Sequence, residues 1–164
     1  MAYHVCLMNP PHRVYHLSIG PHAGAPGNSG ASFTGIHKDI DHWLTSFRLD
    51  PFVHRHVAVV LAQIPAPVRD DLMGDPTFHL CDYEPGPGVV MQVPMRLPAR
   101  NRASRSVVLK RTLRHRPEKF VTWLIAHEFA HAHLRHGIRF PGEDPESAAD
   151  GLAAEWGFPK PGSW

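Results

Sequence analysis

The chain reads as an α+β protein, and three observations carry that reading. Apolar residues recur at helical spacing from Ile36 to Met73, and the period shortens to that of strands between Thr77 and Lys110. Two further helical patterns bounded by proline and glycine then follow. The 164 residues suffice to bury a real core. The expected architecture is a set of N-terminal helices, a small sheet of three or more strands, and two closing helices, with no internal repeat.

Each element has its own signal. Residues 1–35 form an N-terminal segment rich in loop formers, with "GPHAGAPGNSGASFTG" a Gly/Ser/Pro stretch typical of a tether. The organised domain is expected over 36–164. "IHKDIDHWLTSF" places Ile36, Ile40, Trp43, Leu44 and Phe47 on one helical face. "DPFVHRHVAVVLAQI" opens with Asp50 as N-cap and Pro51 in the first turn. "APVRDDLMGDP" is a short helix that stops at Gly74. Residues 77–84 and 88–95 read as strands joined by a tight "PGP" turn, and 104–110, "SRSVVLK", as a third strand. One closing helix starts at Pro117 and ends before Gly137. The other starts at Pro145 behind Asp144 and ends before Gly157.

Bulk properties exclude several classes. A formal charge of +2 describes a mildly basic chain, and no apolar run reaches the roughly 18–20 residues that span a bilayer. The start lacks the positive-then-apolar pattern of a secretory signal, so a cytoplasmic protein without membrane contact is expected. Cys6 and Cys81 are far apart and form no CxxC pair, which argues against a disulfide framework or a cysteine zinc ribbon. Both thiols read as core residues.

Chemistry concentrates in "LIAHEFAHAHLRHG", residues 124–137, which holds four of the fourteen histidines. Within it His127-Glu128-Phe129-Ala130-His131 is H-E-x-x-H. Residues four apart on a helix share a face, with Cβ atoms about 5–6 Å apart, so two imidazoles can converge on one ion at about 2.0–2.1 Å. Glu128 lies about 100° around the helix, which suits a base that reaches water rather than the metal. In a chain this rich in histidine, H-E-x-x-H arises by chance at roughly 4%, so the context must decide. That context is a strongly apolar helix. Val121, Ile125, Phe129 and Ala132 form one stripe, while Phe120, Leu124 and Leu134 flank the histidines. Only Lys119, Thr122 and His133 look solvated. Downstream, "EDPESAAD" puts Glu146 and Asp150 four apart at a helix start, with small Ala149 and Ala153 near the same face. Glu146 as third metal ligand, with Asp150 accepting an N–H from His127 or His131, would complete such a site. His136 misses by one residue the third histidine of the longer H-E-x-x-H-x-x-G-x-x-H pattern.

With "HEFAHAHLRHG…EDPESAADGLAAEWGF", the chain resembles zincin metallopeptidases of the gluzincin kind, above all the small ImmA/IrrE-type bacterial and phage enzymes. The specific motifs cover about residues 120–158. The resemblance implies a minimal zincin-like domain and a zinc-dependent endopeptidase. In it His127, His131 and Glu146 hold Zn2+, Glu128 is the general base, and Asp150 supports a ligand. It also implies that "SRSVVLK" forms a sheet edge beside the cleft, where a peptide adds as a strand. Two departures stand out. ImmA-type proteins often carry Asn where this chain has Asp150, and no residue stands out as the transition-state-stabilising Tyr or His; Tyr83, His115 and His136 are the candidates.

Residues 96–116 carry eight Lys/Arg and no acid. This is either a solvated strand edge or a contact surface for nucleic acid or an acidic protein segment. Such a surface permits an alternative to the protease, a zinc-stabilised, non-catalytic module that engages nucleic acid or a partner protein. It equally permits a protease of intracellular regulatory or DNA-associated proteins, as SprT-type enzymes are.

Overall fold

The computed structural model describes residues 33–84, 105–134 and 144–162, and among these the fold is α+β, with five α-helices and a two-stranded parallel sheet. The first helix, α1, runs Phe33–Leu44 and tightens into a 3-10 turn over Thr45–Phe47. There the Thr45 and Ser46 hydroxyls donate to the carbonyls of His42 and Trp43 at 2.6 and 2.7 Å, and Arg48 reverses the chain at φ 46°. Side-chain bonds of this kind compete with the helix ladder, which is why the apolar pattern to Phe47 outlasts the helix itself.

Helix α2 spans Pro51–Gln63, and the Asp50 carboxylate accepts the Phe52 N–H at 3.0 Å. Helix α3, Ala66–Met73, stops where the Gly74 amide closes on the Asp70 carbonyl at 2.9 Å. A Cβ on Gly74 would sit 2.8 Å from that same oxygen. Strand β1, Phe78–Tyr83, pairs in parallel with β2, Arg105–Lys110, from Phe78 opposite Arg105 to Tyr83 opposite Lys110. The expected strand over 88–95 and its turn lie outside the described residues, so the hairpin reading is not represented, whereas the 77–84 and 104–110 strands are. The Cys81 thiol is pushed up to about 11, by burial first and the Asp82 charge second, which leaves it unreactive near neutral pH. Cys6 lies outside the described residues.

A 3-10 turn over Arg111–His115 leads into α4, Glu118–Leu134. Twelve of its seventeen residues are buried, Phe129 and Ile125 completely. A helix apolar around most of its circumference must be central, and α4 packs against α2, α3, β2 and α5. Helix α5, Pro145–Glu155, is capped by Asp144, whose carboxylate accepts from the Ser147 amide at 3.0 Å and hydroxyl at 2.7 Å. Ala149 and Ala153 are fully buried, which lets α5 approach α4 closely. Gly157, at φ 93°, then turns the chain back. The Phe158 amide bonds the Ala153 carbonyl at 2.9 Å and the Gly157 amide that of Ala154 at 3.0 Å, a Schellman arrangement. Among the described residues no helix is long and apolar enough to cross a membrane.

One expectation about α4 needs correction. His133 is not simply solvated: its Nδ1 lies 2.8 Å from an Asp71 carboxylate oxygen, and its ring meets Trp156 edge-on. The reason is tertiary, since α3 brings a carboxylate against the face that helical spacing alone leaves open.

Candidate metal centre

Helix α4 carries His127 and His131 one turn apart, and α5 lays Glu146 across them. The two Nε2 atoms stand 3.0 Å apart. One Glu146 oxygen is 3.3 Å from His127 Nε2 and the other 3.5 Å from His131 Nε2. A four-coordinate ion with bonds of about 2.0–2.1 Å separates its ligand atoms by roughly 3.3–3.4 Å. The spacings of this triangle, which reach His127 and His131 from the two different Glu146 oxygens, are of that order, and these three residues could hold a metal ion. The histidines are buried, while the Glu146 side chain is 69% exposed and closes the triangle from the open side.

Asp150, one turn after Glu146, places a carboxylate oxygen 2.9 Å from His127 Nδ1. An ionised carboxylate only accepts, so the proton sits on Nδ1 and the Nε2 lone pair points into the triangle. The other Asp150 oxygen accepts from Lys160 Nζ at 2.8 Å. Burial acts upward on the Asp150 carboxyl, but Lys160 and His127 outweigh it and hold it below the usual carboxylate range. Lys160 has no signal of its own in the sequence. It reaches Asp150 only because Gly157 turns the tail back, and it also caps the Trp123 ring at 5.2 Å. The glycine was a visible signal for the turn, but nothing in the local spacing marks the lysine.

Glu128 is 7% exposed and borders a cavity of about 780 Å³ together with His127 and Glu146. Burial, with the Glu146 charge second, pushes its carboxyl up to about 7, and no hydrogen bond from a described residue offsets the effect. A carboxyl poised there can both accept and return a proton near neutral pH.

Of the three residues considered for transition-state stabilisation, His115 lines this cavity. Tyr83 ends β1 opposite Lys110 and is not among the lining residues, and His136 lies outside the described residues. The basic stretch is largely neutralised where it is described. Arg105 is 3% exposed and bonds Asp75 and Asp71, Arg111 pairs with Asp82, and Arg114 pairs with Glu84 and Asp50. Arg96, Arg100 and Arg102 lie outside the described residues.

No family model matches this chain, and neither a curated protein nor a solved structure matches it.

Proposed function

We propose that this chain is a zinc-dependent endopeptidase of the gluzincin kind, with a minimal zincin-like domain acting on a protein or peptide. The observation that carries the reading is the convergence of His127, His131 and Glu146 at ligand spacing, with the buried Glu128 beside them on one cavity. Zinc, when bound, supplies a Lewis acid that polarises a carbonyl and acidifies water. Everything else falls to the chain's own residues. The histidine imidazoles and the Glu146 carboxylate hold the ion, and Asp150 keeps His127 in the tautomer that can ligate. Glu128 takes the proton of the attacking water at a carboxylate oxygen and returns it to the leaving amine nitrogen.

The rival, a zinc-stabilised module that uses 96–116 to engage nucleic acid or a partner, finds less support. Three of its described arginines are already committed to carboxylates within the fold, and a structural clamp has no use for a buried base beside the metal.

Two measurements test the site. Purified protein should carry about one zinc per chain, and the His127→Ala, His131→Ala double variant should carry none; full occupancy in the double variant would sink the assignment. Mapping new peptide termini after incubation with a cell lysate, wild type against Glu128→Gln, then tests the reaction.

The roles of the two α5 carboxylates are separable as well. Removing a partner that orients a metal-binding histidine typically costs about 10–100-fold in affinity or activity. Asp150→Asn should be the mildest change, since the amide oxygen still accepts the Nδ1 proton. Asp150→Ala should be worse, and Glu146→Ala worst. Chelator competition gives the order, and zinc lost outright in Asp150→Ala but kept in Glu146→Ala would reverse the assignment.

A further inference from the structure

The tail that follows α5 brings one ammonium to one place. Gly157 turns it back at φ 93°, a conformation that only glycine adopts without strain. Phe158, 6% exposed, anchors it in the core. Proline then stands on both sides of Lys160, at 159 and 161. The first fixes its own φ, and the second keeps Lys160 out of the helical region. The Lys160 Nζ ends 2.8 Å from Asp150 Oδ2 and 5.2 Å from the centre of the Trp123 ring.

Both contacts bear on His127. Asp150 turns its other oxygen to His127 Nδ1 at 2.9 Å, and Trp123, one turn earlier on α4, holds its ring 5.5 Å from the imidazole. An Asp carboxylate rotates easily about its last bond, and the Asp150 side chain is 23% exposed. Donors on both oxygens oppose that rotation. Exposed ion pairs contribute little where two long side chains must be ordered to make them. Here the glycine turn, the Phe158 anchor and the two prolines supply much of the ordering, and the Trp123 ring beneath the ammonium narrows it further.

We propose that Lys160 is a positioning residue of the metal centre: by holding Asp150 through the oxygen that His127 does not use, it keeps His127 Nε2 turned toward His131 and Glu146. The proposal rests on the zinc reading above for its consequence, though not for the hydrogen bonds that carry it. It also has a distinctive sign. A cation near a bound dication repels it, so a lysine that acted by charge alone would weaken zinc, and its removal would tighten binding. A lysine that acts by position does the opposite.

Two measurements on the full-length protein test this. In chelator competition, Lys160→Met should bind zinc about three- to tenfold more weakly than wild type, a smaller loss than the roughly 10–100-fold of a direct partner. Lys160→Arg, which still donates to the carboxylate, should restore most of it. In an Asp150→Ala background, Lys160→Met should cost nothing further, because the group it acts through is gone. The second measurement needs no metal. In nitrogen-labelled protein free of zinc, the His127 Nδ1 proton should give a downfield resonance in wild type and Lys160→Arg, broadened by water exchange in Lys160→Met and lost in Asp150→Ala. Zinc binding that is unchanged or tighter in Lys160→Met, an equal loss in the Asp150→Ala background, or a His127 signal that is absent from wild type or unaltered by Lys160→Met would overturn the proposal. If wild type takes up no zinc while the His127 signal behaves as stated, the metal reading falls and the positioning of His127 by Lys160 stands.

Discussion

Glu128→Gln should keep its zinc and its fold while losing about 10²–10⁴-fold in peptide hydrolysis, the usual contribution of a positioned general acid–base. The amide matches the carboxyl in shape, so the cavity wall is unchanged. What it cannot do is take a proton from water and hand it on. Glu128 is buried and its carboxyl already lies high, at about 7, so a neutral amide there costs the fold little. The comparison therefore isolates proton transfer from stability. The checks are kcat/KM on a peptide identified by terminus mapping, zinc content, and thermal unfolding on the same preparations. Retained zinc with undiminished hydrolysis would remove Glu128 from the reaction and leave the triad without its base.

Arg105→Met should produce the largest loss of stability of any single change in the basic stretch, about 3 kcal/mol or more. Arg105 is almost completely buried at the head of β2, with its Nε 2.7 Å from Asp75 and Nη1 2.8 Å from Asp71. Asp71 in turn holds His133 of α4 at 2.8 Å. Breaking such a pair by removing one partner strands the other, a loss of about 3–5 kcal/mol when both are buried. Asp75, at 5% side-chain exposure, is stranded in this way, while Asp71 retains some access to water. Adding Asp75→Asn should recover part of the loss, because the stranded charge goes.

The same network sets a pH dependence. Burial acts upward on the Asp75 carboxyl, but Thr77 and Arg105 outweigh it and hold it at about 2. Its folded value lies below the unfolded one, so its contribution is complete above the unfolded value near 3.8 and is lost as pH falls through about 2. Unfolding monitored from pH 5 downward should show wild type losing roughly 2 kcal/mol through this group, and Arg105→Met losing less. Parallel curves for the two proteins would show that Arg105 does not hold Asp75 down.

Much of this protein is legible because helix signals are local. Asp50 before Pro51, Asp144 before Pro145, and the glycines at 74 and 157 each satisfy backbone groups within a few residues, and the structure ends its helices at or beside them. The spacing of His127 and His131 likewise needs only a helix to bring the rings together, and Glu146 with Asp150 needs only a second one. Small Ala149 and Ala153 even mark the face on which the two helices meet.

The tertiary structure decided what depends on partners distant in sequence. No local pattern marks Arg105 as buried, because the carboxylates that neutralise it stand 30 and 34 residues earlier. Read as a run, 96–116 is a basic surface; folded, Arg105 turns inward to Asp71 and Asp75, while Arg111 and Arg114 pair with Asp82 and Glu84 nearer the surface. The parallel direction of β1 and β2 is likewise invisible to alternation, which reports burial but not polarity of pairing. His133 and Lys160 complete the pattern, each meeting a carboxylate that another element delivers. Short-range hydrogen bonding and periodicity are written along the chain, whereas the partner of a charge is settled only when distant segments pack and its burial would be too costly to leave unmatched.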